Sequence, residues 1–201
     1  MENTKNKILF IIGSTRKTSF NRQLSEVVEK IILENDDIKP YNVEVEYLDF
    51  SDVPFFNQDY EFPTPESVKN VRKKVSEASG LWIFTPEYNH SYPGYLKNLI
   101  DWLSRPLVKN DFSAGTTAQG KKVTISSAAG RAAGINSTNK LRELLDFVGM
   151  HLYFETLVGI SIEPNSFATG ILSIKDNDMY RLEKQAKGFV EFISKQSDKG
   201  L

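Results

Sequence analysis

Three segments of the chain concentrate the residue types that could do chemistry. The first, Gly13-Ser14-Thr15-Arg16-Lys17-Thr18-Ser19-Phe20-Asn21, offers four hydroxyls, a side-chain amide and a guanidinium just before a run with helical spacing. Free N–H groups at a helix start, the positive end of the helix dipole and a planar cation together suit a terminal phosphate monoester. The alternative is a hydroxyl-rich cap in which Ser19 or Thr18 satisfies backbone donors and Arg16 is solvated. The segment lacks the second glycine and Lys-Ser/Thr pair of a Walker loop, and Gly-x-Gly-x-x-Gly fails at Thr15. The second segment, Thr85-Pro86-Glu87-Tyr88-Asn89-His90-Ser91-Tyr92-Pro93-Gly94, is stiffened by a proline near each end. Tyr88, Asn89 and Tyr92 could present aromatic surface and backbone groups to a flat heterocycle. Gly94 either shapes this turn through a positive φ or simply opens the next helix. The third segment, Ser126–Gly134, is rich in small residues, which let a ligand lie against the main chain or permit a tight strand-to-helix turn.

Other chemistries fit poorly. His90 beside Glu87 makes a weak metal pair, because the one other histidine is the distant His151, so His90 reads as a surface or interface residue. There is no Gly-x-Ser-x-Gly elbow for a serine hydrolase, and Asp36-Asp37 reads as a solvated turn. With no cysteine, disulfides, zinc–thiolate sites, iron–sulfur clusters and thiol nucleophiles are excluded.

These segments need a scaffold, and the hydrophobic periodicity supplies one. Ile8–Ile12 and Leu81–Phe84 are short continuous apolar runs, the pattern of strands buried on both faces. Val43–Tyr47 alternates with glutamates and reads as an edge strand. Val123–Ile125 and Leu152–Leu157 complete five strands. Between and after them, helical spacing appears at Leu24–Ile32, at Val68–Ala78 after a Thr64 cap, at Leu96–Leu103, at Leu141–Val148 and at Met179–Ile193. Five strands alternating with five helices imply a single α/β domain over residues 1–201, a three-layer flavodoxin-like sandwich with a parallel sheet in the order 2-1-3-4-5. Asp49–Thr64 and Ser104–Gly120 read as loops. In such a sheet ligands bind beyond the carboxyl ends of the strands, where all three polar segments fall.

Composition narrows the class. Lys plus Arg is 25 against 26 for Asp plus Glu, a net charge of −1, without the basic excess of a nucleic-acid or membrane-surface partner. No apolar run approaches the roughly 20 residues that span a bilayer, so a cytoplasmic protein is expected. The helix carrying Leu96, Leu99, Ile100, Trp102 and Leu103 is apolar over more than one stripe. Trp102 with Tyr92 and Tyr95 is therefore expected to bury against a second copy, unless Ser104–Gly120 folds back over it.

Gly13-Ser14-x-Arg16-x-x-Ser19-x-Asn21 resembles the phosphate loop of the NAD(P)H-dependent FMN reductases, a family that includes chromate, quinone and azo reductases. Pro86-Glu87-Tyr88-Asn89-x-Ser91-x-Pro93-Gly94-x-Leu96-Lys97-Asn98-x-x-Asp101-Trp102 is similar to that family's central signature, and the likeness fades after about Ser161. The resemblance implies a flavodoxin-like fold, non-covalent FMN, NADPH or NADH as co-substrate, and a homodimer or tetramer. It assigns Ser14, Arg16, Ser19 and Asn21 to the phosphate and Pro86, Glu87, Tyr88 and Asn89 to the isoalloxazine, with Ser127 on its other edge. No catalytic side chain is implied. The expected activity is hydride transfer from the nicotinamide to FMN and on to a quinone, azo compound, free flavin or oxidised metal ion. The competing expectation is a flavodoxin-type electron carrier, opposed by the absent Thr/Ser-x-Thr-Gly-x-Thr pattern and the balanced charge. In the third segment the family is often richer in glycine, where this chain has Ala128-Ala129 and Arg131.

Overall fold

The computed structural model describes residues 5–195. The apolar run at Ile8–Ile12 lies in β1 (Asn6–Ile12), followed by α1 (Phe20–Glu34), β2 (Val43–Tyr47), α2 (Glu66–Glu77), β3 (Gly80–Phe84) and α3 (Gly94–Leu103). A hairpin of β4 (Pro106–Val108) and β5 (Asp111–Thr116) precedes β6 (Lys122–Ala129) and α4 (Ile135–Phe147). Two short strands, β7 (His151–Leu152) and β8 (Val158–Ser161), then lead to α5 (Pro164–Thr169) and α6 (Asp176–Ser194).

The main sheet is parallel, in the order β2-β1-β3-β6, with β7 and β8 sharing the last position against β6. This is the flavodoxin-like order 2-1-3-4-5. Because side chains alternate across a strand, β1 feeds two cores. Ile8, Phe10 and Ile12 pack with Leu24, Val28 and Ile32 of α1 and with Leu182, Phe189 and Val190 of α6. Leu9 and Ile11 pack with Val71 and Val75 of α2, Leu96 and Leu99 of α3, and Leu141 and Leu145 of α4. Burial on both faces is why β1 and β3 read as unbroken apolar runs. No helix among the described residues is long and apolar enough to cross a membrane.

Several expectations need correction. The fifth strand is not Leu152–Leu157: β7 pairs with the start of β6 and β8 with its end, while Tyr153–Leu157 lies between them. The fourth strand extends past Ile125 to Ala129, so Ser126–Ala129 are strand and not loop. The segment Ser104–Gly120 contains the β4–β5 hairpin, and α5 was not visible in the periodicity. Pro65 rather than Thr64 is the N-cap of α2, and Thr64 Oγ1 donates to Glu61 O at 3.0 Å.

Trp102 is not left for a second copy, being buried within the chain at 1% exposure. The contacts on the indole come from the Asp49–Thr64 segment. Trp102 Nε1 donates to Pro54 O at 2.8 Å, and Phe56 meets the indole edge-on at 5.0 Å. Tyr95 stacks on Phe50 at 4.2 Å.

Candidate functional site

The carboxyl ends of β1, β3 and β6 bring the three polar segments around one cavity of about 270 Å³. Ser14, Arg16, Ser19, Phe20 and Asn21 line it from the first segment, Pro86, Glu87 and Tyr88 from the second, and Ala128, Ala129 and Gly130 from the third. Ile162 and Phe167, after β8 and on α5, close the remaining side. A larger cavity of about 670 Å³ lies between α4 and β7, lined by Asn139, Arg142, Asp146 and His151 among others, away from these strand ends. Size alone therefore does not mark the site; convergence of donors does.

One end of the smaller cavity is built for an anion. Ser19 is the N-cap of α1, and among the described residues its Oγ accepts the N–H of Arg22, at 3.1 Å. The first helical N–H groups have no intrahelical acceptor and lie at the positive end of the dipole. Ser14 and the exposed Arg16 flank them, with the guanidinium over the Phe20 ring at 5.9 Å from its centroid. Arg16 has no salt bridge among the described residues, so its charge is available to a ligand.

The other end is backbone and small side chains. Glu87 does not turn into the cavity as a free carboxylate. Its oxygens accept the N–H of Asn136 at 2.9 Å, the N–H of Ser137 at 3.1 Å and the Asn136 amide at 3.0 Å, capping α4. Burial works against its ionisation, but these donors outweigh it and hold the carboxyl below its ordinary range. Tyr88, half exposed, starts a tight turn closed by paired bonds with Ser91. Asn89 sits at the tip of that turn with φ 50° and faces a neighbouring depression rather than the cavity itself.

Two other residues assigned by sequence are also tied into the scaffold. Asn21 is 2% exposed: Nδ2 donates one of its two N–H groups to Ala128 O at 2.8 Å, and Oδ1 accepts Ala128 N–H at 2.9 Å. It lines the cavity while holding the end of β6. Ser127 is fully buried, and its Oγ donates to Thr85 O at 2.6 Å, tying β6 to the end of β3. Gly134 must lack a side chain here, since a Cβ would come within 1.9 Å of Ser127 Oγ and φ is +77°. Gly94, by contrast, has open space around it, no positive φ and the first position of α3, so it does not shape the second segment.

Sequence reading missed Phe20, Ile162 and Phe167. Phe20 and Phe167 meet edge-on at 5.7 Å. Gln23 fixes α5 in place by donating to Gly170 O at 2.8 Å and accepting Leu172 N–H at 2.7 Å. The Glu163-Pro164 pair, a proline at the first helical position, was the available signal for α5.

The donor set, a dipole end with hydroxyls and one arginine leading to backbone and small residues, fits a ligand with a terminal phosphate and a flat ring. Comparison with known proteins agrees. The family model for NADPH-dependent FMN reductase matches residues 6–163. A 2-hydroxy-1,4-benzoquinone reductase from a Burkholderia species is 38% identical over 100 residues, covering 50% of this chain and 51% of that protein; the chain thus matches about half the length of this relative. An NAD(P)H-dependent FMN reductase of Pseudomonas aeruginosa is 33% identical over 183 residues, 90% of this chain and 92% of that one. Among solved structures, FerB, a flavoenzyme NAD(P)H:(acceptor) oxidoreductase from Paracoccus denitrificans, superposes with a TM-score of 0.77 at 26% identity, covering 94% of this chain and 97% of that chain. The chain belongs to the NADPH-dependent FMN reductase family and is an NAD(P)H-dependent oxidoreductase with FMN as its cofactor.

Proposed function

We propose that the chain reduces a quinone at the expense of NAD(P)H, with the cavity at the strand ends as the flavin site. The observation that carries this reading is the convergence of the three segments on one cavity, with an anion-binding helix start at one end and small residues at the other. FMN held there would supply the redox chemistry, hydride uptake from the reduced nicotinamide and electron delivery to the acceptor.

The chain's own residues bind, orient and shield. Ser14, Arg16, Ser19 and the first turn of α1 bind the phosphate. Pro86, the backbone of Glu87 and Tyr88, and the stretch Ala128–Gly130 lie along the ring, with Asn89 and Ser127 supporting from outside the cavity. Main-chain N–H groups on stiff loops need no reorganisation when negative charge develops on the ring. Phe20, Ile162 and Phe167 exclude water from the remaining side. No side chain need act as acid or base, since the cofactor supplies the reactivity.

A quinone is preferred over an azo compound, free flavin or oxidised metal ion because of the reductase activity named for the Burkholderia relative. A homodimer is part of the proposal, supported by the exposed Phe55, Tyr60 and Phe112 on the loop and hairpin that adjoin at the Glu61–Arg105 ion pair. Light scattering at the 22.8 kDa monomer mass would count against it. A cytoplasmic location suits the cysteine-free composition. The test of the function is an FMN titration followed by oxidation of NADPH and NADH with a benzoquinone. Turnover is expected with added quinone; a protein that takes up FMN yet oxidises neither nucleotide would favour the electron-carrier reading instead.

A further inference from the structure

Next to the flavin cavity, two tight turns face each other across a second depression of about 400 Å³, which shares Glu87 and Gly130 with the cavity. The Tyr88–Ser91 turn is closed by Tyr88 N–H to Ser91 O at 2.9 Å and Ser91 N–H to Tyr88 O at 3.0 Å. Its central residues, Asn89 and His90, both hold positive φ, 50° and 59°, the geometry of a two-residue hairpin turn. On the far side, Ala133 N–H donates to Gly130 O at 2.8 Å, placing Arg131 second in a turn whose Ala133 also holds a positive φ of 50°. Three of the five non-glycine positive-φ residues among those described thus sit on these two turns. Such strain clusters where a structure must hold a ligand group in place.

The two turns present His90 and Arg131 to the depression. Arg131 is exposed, with no hydrogen bond or ion pair among the described residues. The negative charge of Glu87 is already answered by Asn136 and Ser137. A nicotinamide placed in the flavin cavity must lead the rest of its coenzyme out across contiguous surface, and this depression is contiguous. We propose that Arg131, with His90 opposite, seats a phosphate of the nicotinamide coenzyme. A guanidinium fork matches a phosphate in two bonds, and a stiff turn lowers the cost of ordering it. The seat rests on the flavin–nicotinamide reading above. The phosphate is either the 2′-phosphate, present only in NADP, or the pyrophosphate, present in both coenzymes.

Calorimetric binding of NADP⁺ and of NAD⁺ to the FMN-loaded, oxidised enzyme distinguishes the two. For Arg131→Gln, NADP⁺ affinity should fall by about tenfold at low salt, less at high salt because the site is exposed to screening. Arg131→Lys should recover part of the loss. The KM for NADPH should rise with kcat nearly unchanged. Loss for NADP⁺ alone identifies the 2′-phosphate, and equal loss for NAD⁺ the pyrophosphate. Unchanged affinity for both overturns the seat, as does a parallel loss of FMN affinity, which would place Arg131 in the flavin site. If the wild-type protein takes up FMN but binds neither coenzyme, the seat fails while the flavin site stands. If it takes up no FMN, the reading of the site fails first.

Discussion

Replacing Asn21 by alanine separates a cofactor contact from a structural clamp. The last rung between β3 and β6 is Thr85 N–H to Ser126 O at 3.0 Å. Backbone groups along a strand in a parallel sheet point alternately to the two neighbours, so Ala128 faces the same side as Ser126, where β3 has ended. Asn21 takes the place of the missing strand and satisfies both Ala128 N–H and Ala128 O. The alanine variant leaves two groups unmet, at about 1–3 kcal/mol each when buried. Because the cavity admits water to this strand end, a total of about 2–4 kcal/mol is expected. For a domain of this size that corresponds to a fall in Tm of roughly 5–15 °C. Thermal unfolding of the FMN-free protein measures it, so no cofactor contact enters the result. Asn21→Asp should not rescue at neutral pH, since its second oxygen would face the Ala128 carbonyl. An alanine variant with wild-type Tm in the FMN-free state but weakened FMN binding would refute the clamp and return Asn21 to the phosphate.

Arg16→Ala should weaken FMN binding by about ten- to a hundredfold through loss of charge-assisted bonds, with stability unchanged, as titration calorimetry and unfolding would show. Gly94→Ala, in open space at the start of α3, should be neutral or stabilise by up to about 1 kcal/mol, whereas Gly134→Ala should destabilise by more than about 2 kcal/mol through the clash with Ser127; denaturant unfolding compares them. The Glu87 carboxylate stabilises α4 above its ordinary pKa of 4.5, and the contribution is lost as pH falls through its lower folded-state value. Wild type should therefore exceed Glu87→Gln by about 0.5–2 kcal/mol at neutral pH, with the gap closing in acid; a pH-independent gap would show that the charge is not what caps the helix.

Much of the scaffold was legible because local pattern and global fold agree. An unbroken apolar run such as Ile8–Ile12 means a strand covered on both faces, and Leu24, Val28 and Ile32 mean one buried helical stripe, whatever lies beyond. The polar segments could be placed at the strand ends for the same reason. Legibility failed where a residue's partner is distant in sequence. The last sheet position is divided between β7 and β8, which together contribute only six residues in two pieces, too few for a period to register.

The sequence by itself determined the alternation of strands and helices, the hydroxyl-rich helix start at Ser14–Asn21 and the proline-stiffened loop Thr85–Gly94, since each is set by side-chain period and loop chemistry within a few residues. The tertiary structure alone decided what those side chains bond. Asn21 meets Ala128 because β3 stops short of β6; Ser127 is sealed in because Gly134 packs against it; Glu87 answers α4 because that helix begins beside the turn. Trp102 belongs to the same class, because its apolar face is the same in sequence whether a second copy or Pro54 and Phe56 of its own chain covers it. A hydrogen bond or a buried face needs two partners, and only the folded chain says which two meet.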